Sequence, residues 1–169
     1  MTGILEDLLK PGLQVVFCGT AAGTASARAK AYYAGPGNAF WRTLYATGLT
    51  PTQLAPSEYK RLLGFGIGLT DICKVRHGSD AEVGTMEFDV DGLRARIAAV
   101  EPVYLAFNGK NAARGALERE VELGPQEERI GGAAVWVLPS TSGAARGYWD
   151  IEQWEELARI CTGTKESSA

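Results

Sequence analysis

Leu13-Gln14-Val15-Val16-Phe17-Cys18 runs directly into Gly19-Thr20-Ala21-Ala22-Gly23. A nearly unbroken apolar run meeting a glycine-bounded turn predicts a strand covered on both faces, ending at an open sheet edge. The chain continues as T-A-S-A-R-A-K-A-Y-Y-A-G-P-G-N-A-F-W over residues 24–41. Small residues there permit a backbone-lined pocket closed by aromatics, its amides facing a planar or anionic group. No carboxylate occurs between Asp7 and Glu58, whereas Lys10, Arg28, Lys30 and Arg42 all do. A local positive balance of this kind suits a phosphate-bearing partner.

Three further apolar runs, at residues 66–73, 103–107 and 134–138, have the same continuous character. Helical patterns separate them. Residues 39–47 place Phe40, Thr43 and Leu44 on one face, and residues 91–100 do so with Leu93, Ile97 and Val100 before Pro102 stops the helix. A third pattern covers residues 111–121. A fourth covers residues 151–161, with Asp150 as its cap and Gln153 placed for a capping box. Strands alternating with helices predict one α/β domain over residues 1–169, a three-layer αβα sandwich around a mainly parallel four-stranded sheet. Ligands of such sheets bind at the carboxyl ends of the strands.

Composition agrees with one soluble domain. The chain has 169 residues, 46% apolar and 22% charged, ordinary values for a globular protein. No apolar run approaches the ~20 residues that cross a bilayer, and no secretory signal is visible, so no membrane partner is expected. Cys18, Cys73 and Cys161 are odd in number and far apart, and the one histidine is His77. They make no metal spacing, so reduced thiols in a cytoplasm are expected, with no metal and no cofactor. The net charge of -3 weighs slightly against nucleic acid. Its distribution matters more, because the acids gather at residues 80–91, 118–128 and 150–156, segments expected on solvated helices and loops.

By itself the turn at residues 19–23 is a weak signal, lacking both the Gly-Lys-Ser/Thr of a phosphate loop and the full dinucleotide fingerprint. A second turn, Pro139-Ser140-Thr141-Ser142-Gly143, follows the last strand. Two such loops at one sheet edge can clamp a backbone phosphate. Capping is the competing role for Ser140 and Ser142.

Together these stretches resemble the uracil-DNA glycosylase superfamily, in particular its mismatch-specific uracil/thymine branch. The similarity spans about residues 13–160. The family's Gly-Ile-Asn-Pro-Gly falls on Gly19-Thr20-Ala21-Ala22-Gly23, and its Pro-Gly-Asn-x-Phe-Trp on Pro36-Gly37-Asn38-Ala39-Phe40-Trp41. Gly-Phe-Thr-Asn is similar to Gly68-Leu69-Thr70-Asp71, and the Gly-Lys turn to Asn108-Gly109-Lys110. Asn-Pro-Ser-Gly followed by Arg is similar to Ser140-Thr141-Ser142-Gly143 and then Arg146. Five ordered matches are far more specific than one.

The resemblance implies a DNA-repair enzyme that flips a damaged base from DNA and cleaves its bond to the sugar, since that bond is out of reach inside the stack. Tyr33 takes the position of the base-stacking aromatic. Gly19, Thr20 and Ala21 would line the base pocket with Asn108. Ser26, Lys110, Ser140, Thr141, Ser142 and Arg146 would face DNA. Local capping serves about equally well for Ser26, and a plain Asn-Gly turn nearly so for Asn108 and Lys110. Asn38 is expected to order its own loop. One pocket suffices for the reaction, so a monomer is expected.

Ala21 stands where the family has its catalytic asparagine, and an alanine cannot position water. Asp71 is the replacement we expect, a carboxylate near the end of an otherwise apolar strand. Cleaving a sugar–base bond builds positive charge on the sugar. A fixed carboxylate stabilises that charge and activates water. An aspartate of ordinary pKa, about 4, is ionised at neutral pH. The competing role for Asp71 is a cap, or a partner for Lys74 or Arg76. Ala144 and Ala145 leave Arg146 as the long side chain available to fill the gap in the duplex, a weak wedge that favours single strands and poorly paired sites. A damaged-base binder that does not cut is the alternative that Ala21 raises. His77 reads as a solvated loop residue, and Trp136, Trp149 and Trp154 as packing residues.

Overall fold

The apolar run at residues 13–18 does form a strand, β1 (Val15–Gly19), in which every residue is buried. The computed structural model describes residues 5–74, 88–142 and 150–162. Around β1 the sheet contains β2 (Ile67–Asp71), β3 (Tyr104–Asn108), β4 (Gly124–Ile130) and β5 (Ala133–Leu138), in the order β2-β1-β3-β5-β4. The first three pairings are parallel, and β4 joins β5 antiparallel. Among the described residues the sheet therefore has five strands, one more than the apolar runs predict. The extra strand, β4, reads Gly-Pro-Gln-Glu-Glu-Arg-Ile and buries only its ends fully. An edge strand needs little apolar surface, and charged side chains keep such an edge from pairing with other chains. Arg119 contributes here by gripping Glu128 at 2.6 Å. Part of the acidic segment expected on helices and loops is thus strand.

Alternation along each central strand feeds two cores. Val15 and Phe17 of β1 join Ile67, Leu69, Ala106, Trp136 and Leu138 in one core. That side is covered by α2 (Phe40–Ala46), a 3-10 segment (Pro56–Phe65) and α5 (Ile151–Cys161), through Phe40, Leu44, Leu62, Trp154 and Leu157. Val16 and Cys18 face the other core with Leu105, Phe107, Val135 and Val137. There α3 (Val90–Val100) presents Leu93 and Ile97, and α4 (Lys110–Leu117) presents Ala112, Ala113 and Ala116. This is the expected three-layer α/β sandwich. Fully burying one side chain the size of Phe17 contributes about 1.5–3 kcal/mol, so the central strands anchor the sheet edge that follows them.

Short α1 (Thr24–Ala29) follows the first turn and stops where Lys30 enters the left-handed region. Asp150 caps α5 by accepting the Glu152 amide at 3.0 Å. Gln153 reaches β4, where a Cβ on Gly124 would lie 3.4 Å from its Oε1. Trp136 and Trp154 are buried packing residues, whereas Trp149, His77 and Arg76 lie outside the described residues.

Candidate active site at the carboxyl edge of the sheet

Three adjacent strands end side by side. Gly19 closes β1 in register with Asp71 of β2, and Asn108 closes β3 on the other side of β1. The Gly19 carbonyl accepts the Ile72 amide at 2.9 Å, and the Thr20 carbonyl accepts that of Cys73 at 2.7 Å. Those two bonds fix the chain on either side of the Asp71 side chain. The lack of a side chain at Gly19 then matters. A Cβ there would lie 2.9 Å from Asp71 Oδ1 and 3.1 Å from the Tyr33 hydroxyl. Asp71 and Tyr33 thus converge on the bare Cα of Gly19.

Tyr33 is held under strain. Its φ of 54° is left-handed, a conformation that costs a side-chain-bearing residue about 1–3 kcal/mol and concentrates at functional sites. Two contacts impose it. The ring stacks on Phe40 with centroids 4.1 Å apart, and the Ser26 hydroxyl accepts the amide of Ala34 at 2.9 Å. Phe40 is itself locked edge-on to Phe17, Trp41 and Trp154. The Tyr33 hydroxyl is buried with no hydrogen-bond partner among the described residues. Burial, and then the Asp71 charge, raise its pKa well above the usual value; the Asn108 amide opposes this from nearby without reaching hydrogen-bond geometry. A buried, unpaired donor is costly, so this hydroxyl is a ready partner for an incoming polar group.

Asp71 is 4% exposed. Burial lifts its pKa from 3.8 to about 6, opposed by Lys74, reinforced by Asp7 and opposed again by Arg96. The ordinary carboxylate value taken from sequence is therefore too low, because it ignores desolvation. Near pH 7 the group is still ionised by roughly ten to one. Lys74, a candidate partner for Asp71, instead binds Asp7 at 2.8 Å. In the sequence Asp7 marks only the edge of a carboxylate-free stretch and Arg96 carries no signal, since the two meet only in three dimensions.

The second turn is stitched to the end of β3 and to the start of α2. Asn108 donates through Nδ2 to Thr141 Oγ1 at 2.9 Å and accepts the Thr141 amide at 3.0 Å. The Thr141 carbonyl accepts the Ala39 amide at 2.8 Å. Thr141 is thereby buried and joins three loops, and Asn108 spends both ends of its carboxamide on it. The Ser140 hydroxyl accepts the Ser142 amide at 3.1 Å, a capping bond that leaves Ser142 exposed at the rim. Ser26 is likewise buried behind Tyr33. Lys110, Thr20 and Ala21 are half-buried around the edge, and Asn38 orders its own loop by accepting the Phe40 amide. Arg146 lies outside the described residues.

A cavity of about 450 Å³ opens beyond the second turn, between Ser140, Thr141 and Ser142 on one side and Arg42 and Tyr45 of α2 on the other. It does not extend to Asp71 or Tyr33. The groups that converge on Gly19 are enclosed and do not line this cavity. Among the described residues no cluster of His, Cys, Asp and Glu could hold a metal, and no helix is long and apolar enough to cross a membrane.

Comparison with known proteins agrees with this architecture. A solution NMR structure of a candidate uracil DNA glycosylase from Methanosarcina acetivorans is similar over 94% of this chain and 96% of its own, at 24% identity and a TM-score of 0.64. That likeness establishes the fold. The family model of the uracil DNA glycosylase superfamily matches residues 6–159. With that match over nearly the whole chain, the protein belongs to the uracil DNA glycosylase superfamily.

Proposed function

We propose that this chain excises uracil from DNA by hydrolysing the N-glycosidic bond, with Asp71 as the group that stabilises the sugar cation and activates water. Superfamily membership supports the coarser part, a DNA glycosylase acting on DNA. The observation that carries the finer part is the convergence of the Asp71 carboxylate and the unpaired Tyr33 hydroxyl on Gly19. In the reaction the bond between C1′ and the base nitrogen breaks, and the base leaves with the electron pair. Positive charge grows on the deoxyribose as the base departs, and a preorganised carboxylate in a dry site stabilises it without reorganisation. Water then bonds to C1′, and its proton passes to Asp71 and on to solvent. Tyr33 would donate to a base oxygen as negative charge develops there. Ser140, Ser142, Lys110 and Arg146 would carry the flanking phosphates, while Asn108, Thr141 and Ser26 hold the loops that present them.

Incubating the protein with uracil-containing oligonucleotides, then breaking abasic sites with alkali, tests the reading. Strand breaks dependent on both uracil and protein are the expected result. Binding without breaks would instead favour the non-cutting damaged-base binder that Ala21 suggests. As a mismatch-specific type with a weak wedge, the enzyme should excise from single strands and U·G pairs faster than from U·A pairs, where flipping costs more. A preference for intact U·A duplex would contradict that assignment.

The pH dependence follows from the Asp71 value of about 6. The ionised form is the active one, so the single-turnover rate should level off above pH 7 and fall about tenfold per unit well below pH 6. A rate that stays flat down to pH 4.5 would show that no carboxylate of this pKa acts.

A further inference from the structure

Behind Asp71 lies a compact ionic cluster that the reaction as written does not use. Its centre is Asp7, on the segment before β1. Leu8 forms an antiparallel bridge to Leu69, with amide-to-carbonyl distances of 2.9 Å in both directions, which sets Asp7 beside the end of β2. Both carboxylate oxygens are occupied. Oδ1 accepts the Thr70 hydroxyl at 2.7 Å and lies 2.8 Å from Lys74 Nζ. Oδ2 lies 3.0 Å from Arg96 Nε. That last contact is an ion pair by distance only, since the Nε–H does not point along it.

Both cations stand close to Asp71. Lys74 is three residues further on, and Arg96 Nη2 donates to the Asp71 main-chain carbonyl at 3.0 Å. Each would be a natural partner for the catalytic carboxylate. Lys74 is instead turned towards Asp7 and donates to the Tyr32 hydroxyl at 3.3 Å, and that hydroxyl donates to the Glu6 carbonyl at 2.9 Å. The titratable and charged groups around Asp71 are then Lys74, Arg96, Asp7, Tyr32, Tyr33 and the Cys18 thiol. Two positive charges lie near two carboxylates, and both are within ion-pair distance of Asp7.

We propose that Asp7 is a positioning residue for this site: by binding Lys74 and Arg96 it keeps both cations from pairing with the Asp71 carboxylate, which stays available to water and the sugar. The proposal rests on the reading of Asp71 as the catalytic carboxylate. An Asp71 paired to lysine would be a weaker base, and part of its charge would be cancelled before the sugar cation forms. The negative charge on Asp7 also raises the pKa of Asp71.

Asp7→Asn tests this, because the amide keeps the shape and, through its oxygen, the Thr70 bond, while the charge is lost and an NH2 donor that cannot hold Arg96 replaces Oδ2. Its acid limb in the single-turnover profile should move down by about one pH unit, with the plateau rate about tenfold lower. Adding Lys74→Met to Asp7→Asn should return the limb towards the wild-type position, since the competing cation is gone. A carbon-13 titration of the Asp71 carboxyl should show the same movements without requiring turnover. A slower, less stable Asp7→Asn whose acid limb and carboxyl titration stay in place would overturn the proposal and leave Asp7 a merely structural residue. Failure of the parent reading looks different. It would appear as absent excision by wild type, or as wild-type rates in Asp71→Asn, whatever Asp7→Asn does.

Discussion

Asp71→Asn is expected to lower single-turnover uracil excision by about 10²-fold or more, the scale of losing a general base, while making the protein more stable. The two effects share one cause. Asp71 is buried at the end of β2, and its folded pKa of about 6 lies above the ordinary 3.8. The native state therefore holds its proton to higher pH than the unfolded chain does. The contribution of this one group to stability is most favourable below about pH 4, declines as pH rises through 6, and stays lower above that. A difference of about two pKa units corresponds to about 3 kcal/mol at neutral pH. The isosteric amide carries no charge to desolvate. Melting temperatures should thus diverge by several degrees at pH 7.5 and converge near pH 4. Comparable excision in the two proteins would remove Asp71 from the mechanism, and melting curves that differ equally at both pH values would remove the burial argument.

Gly19→Ala is expected to cost about 10²-fold in excision with little change in melting temperature. The backbone at Gly19 is that of an ordinary strand, so alanine fits its φ and ψ without strain. The added methyl would sit 2.9 Å from Asp71 Oδ1 and 3.1 Å from the Tyr33 hydroxyl. Both contacts are with terminal side-chain atoms rather than backbone, so a small displacement of those two groups should let the fold absorb the change. The active arrangement should not, because displacing a reacting group by about 1 Å commonly costs that much in rate. Measuring kcat, KM and thermal stability together separates the outcomes. Unchanged excision would mean that the space above Gly19 is not where the base or water sits. A collapse in stability would mean that the glycine serves packing alone.

Much of this could be read from residue order. The continuous apolar character of residues 13–18 and of the other three runs was enough to predict buried strands, and all four became strands. Asp150 capped its helix as its side chain predicts. The fifth strand was missed for a physical reason. β4 is an edge element whose alternate residues face solvent, so its hydrophobic signature is weak. A signal did exist in Gly131-Gly132, whose positive φ values of 55° and 88° make the tight hairpin into β5. The loops show the same division. Asn38 ordered its own turn as expected, whereas Asn108 and Thr141, singled out for base and DNA, proved to be bonded to each other across 33 positions of chain.

Sequence alone determined the layered α/β class, the two glycine-bounded loops and the presence of a carboxylate in an apolar strand, because these depend on local pattern and short-range sterics. Only the tertiary structure decided that Asp71 faces Gly19 and Tyr33, that its pKa is raised, and that Lys74 and Arg96 lie against Asp7. Desolvation and Coulomb energy depend on distances between groups far apart along the chain, and those distances do not exist until β1, β2 and α3 have packed.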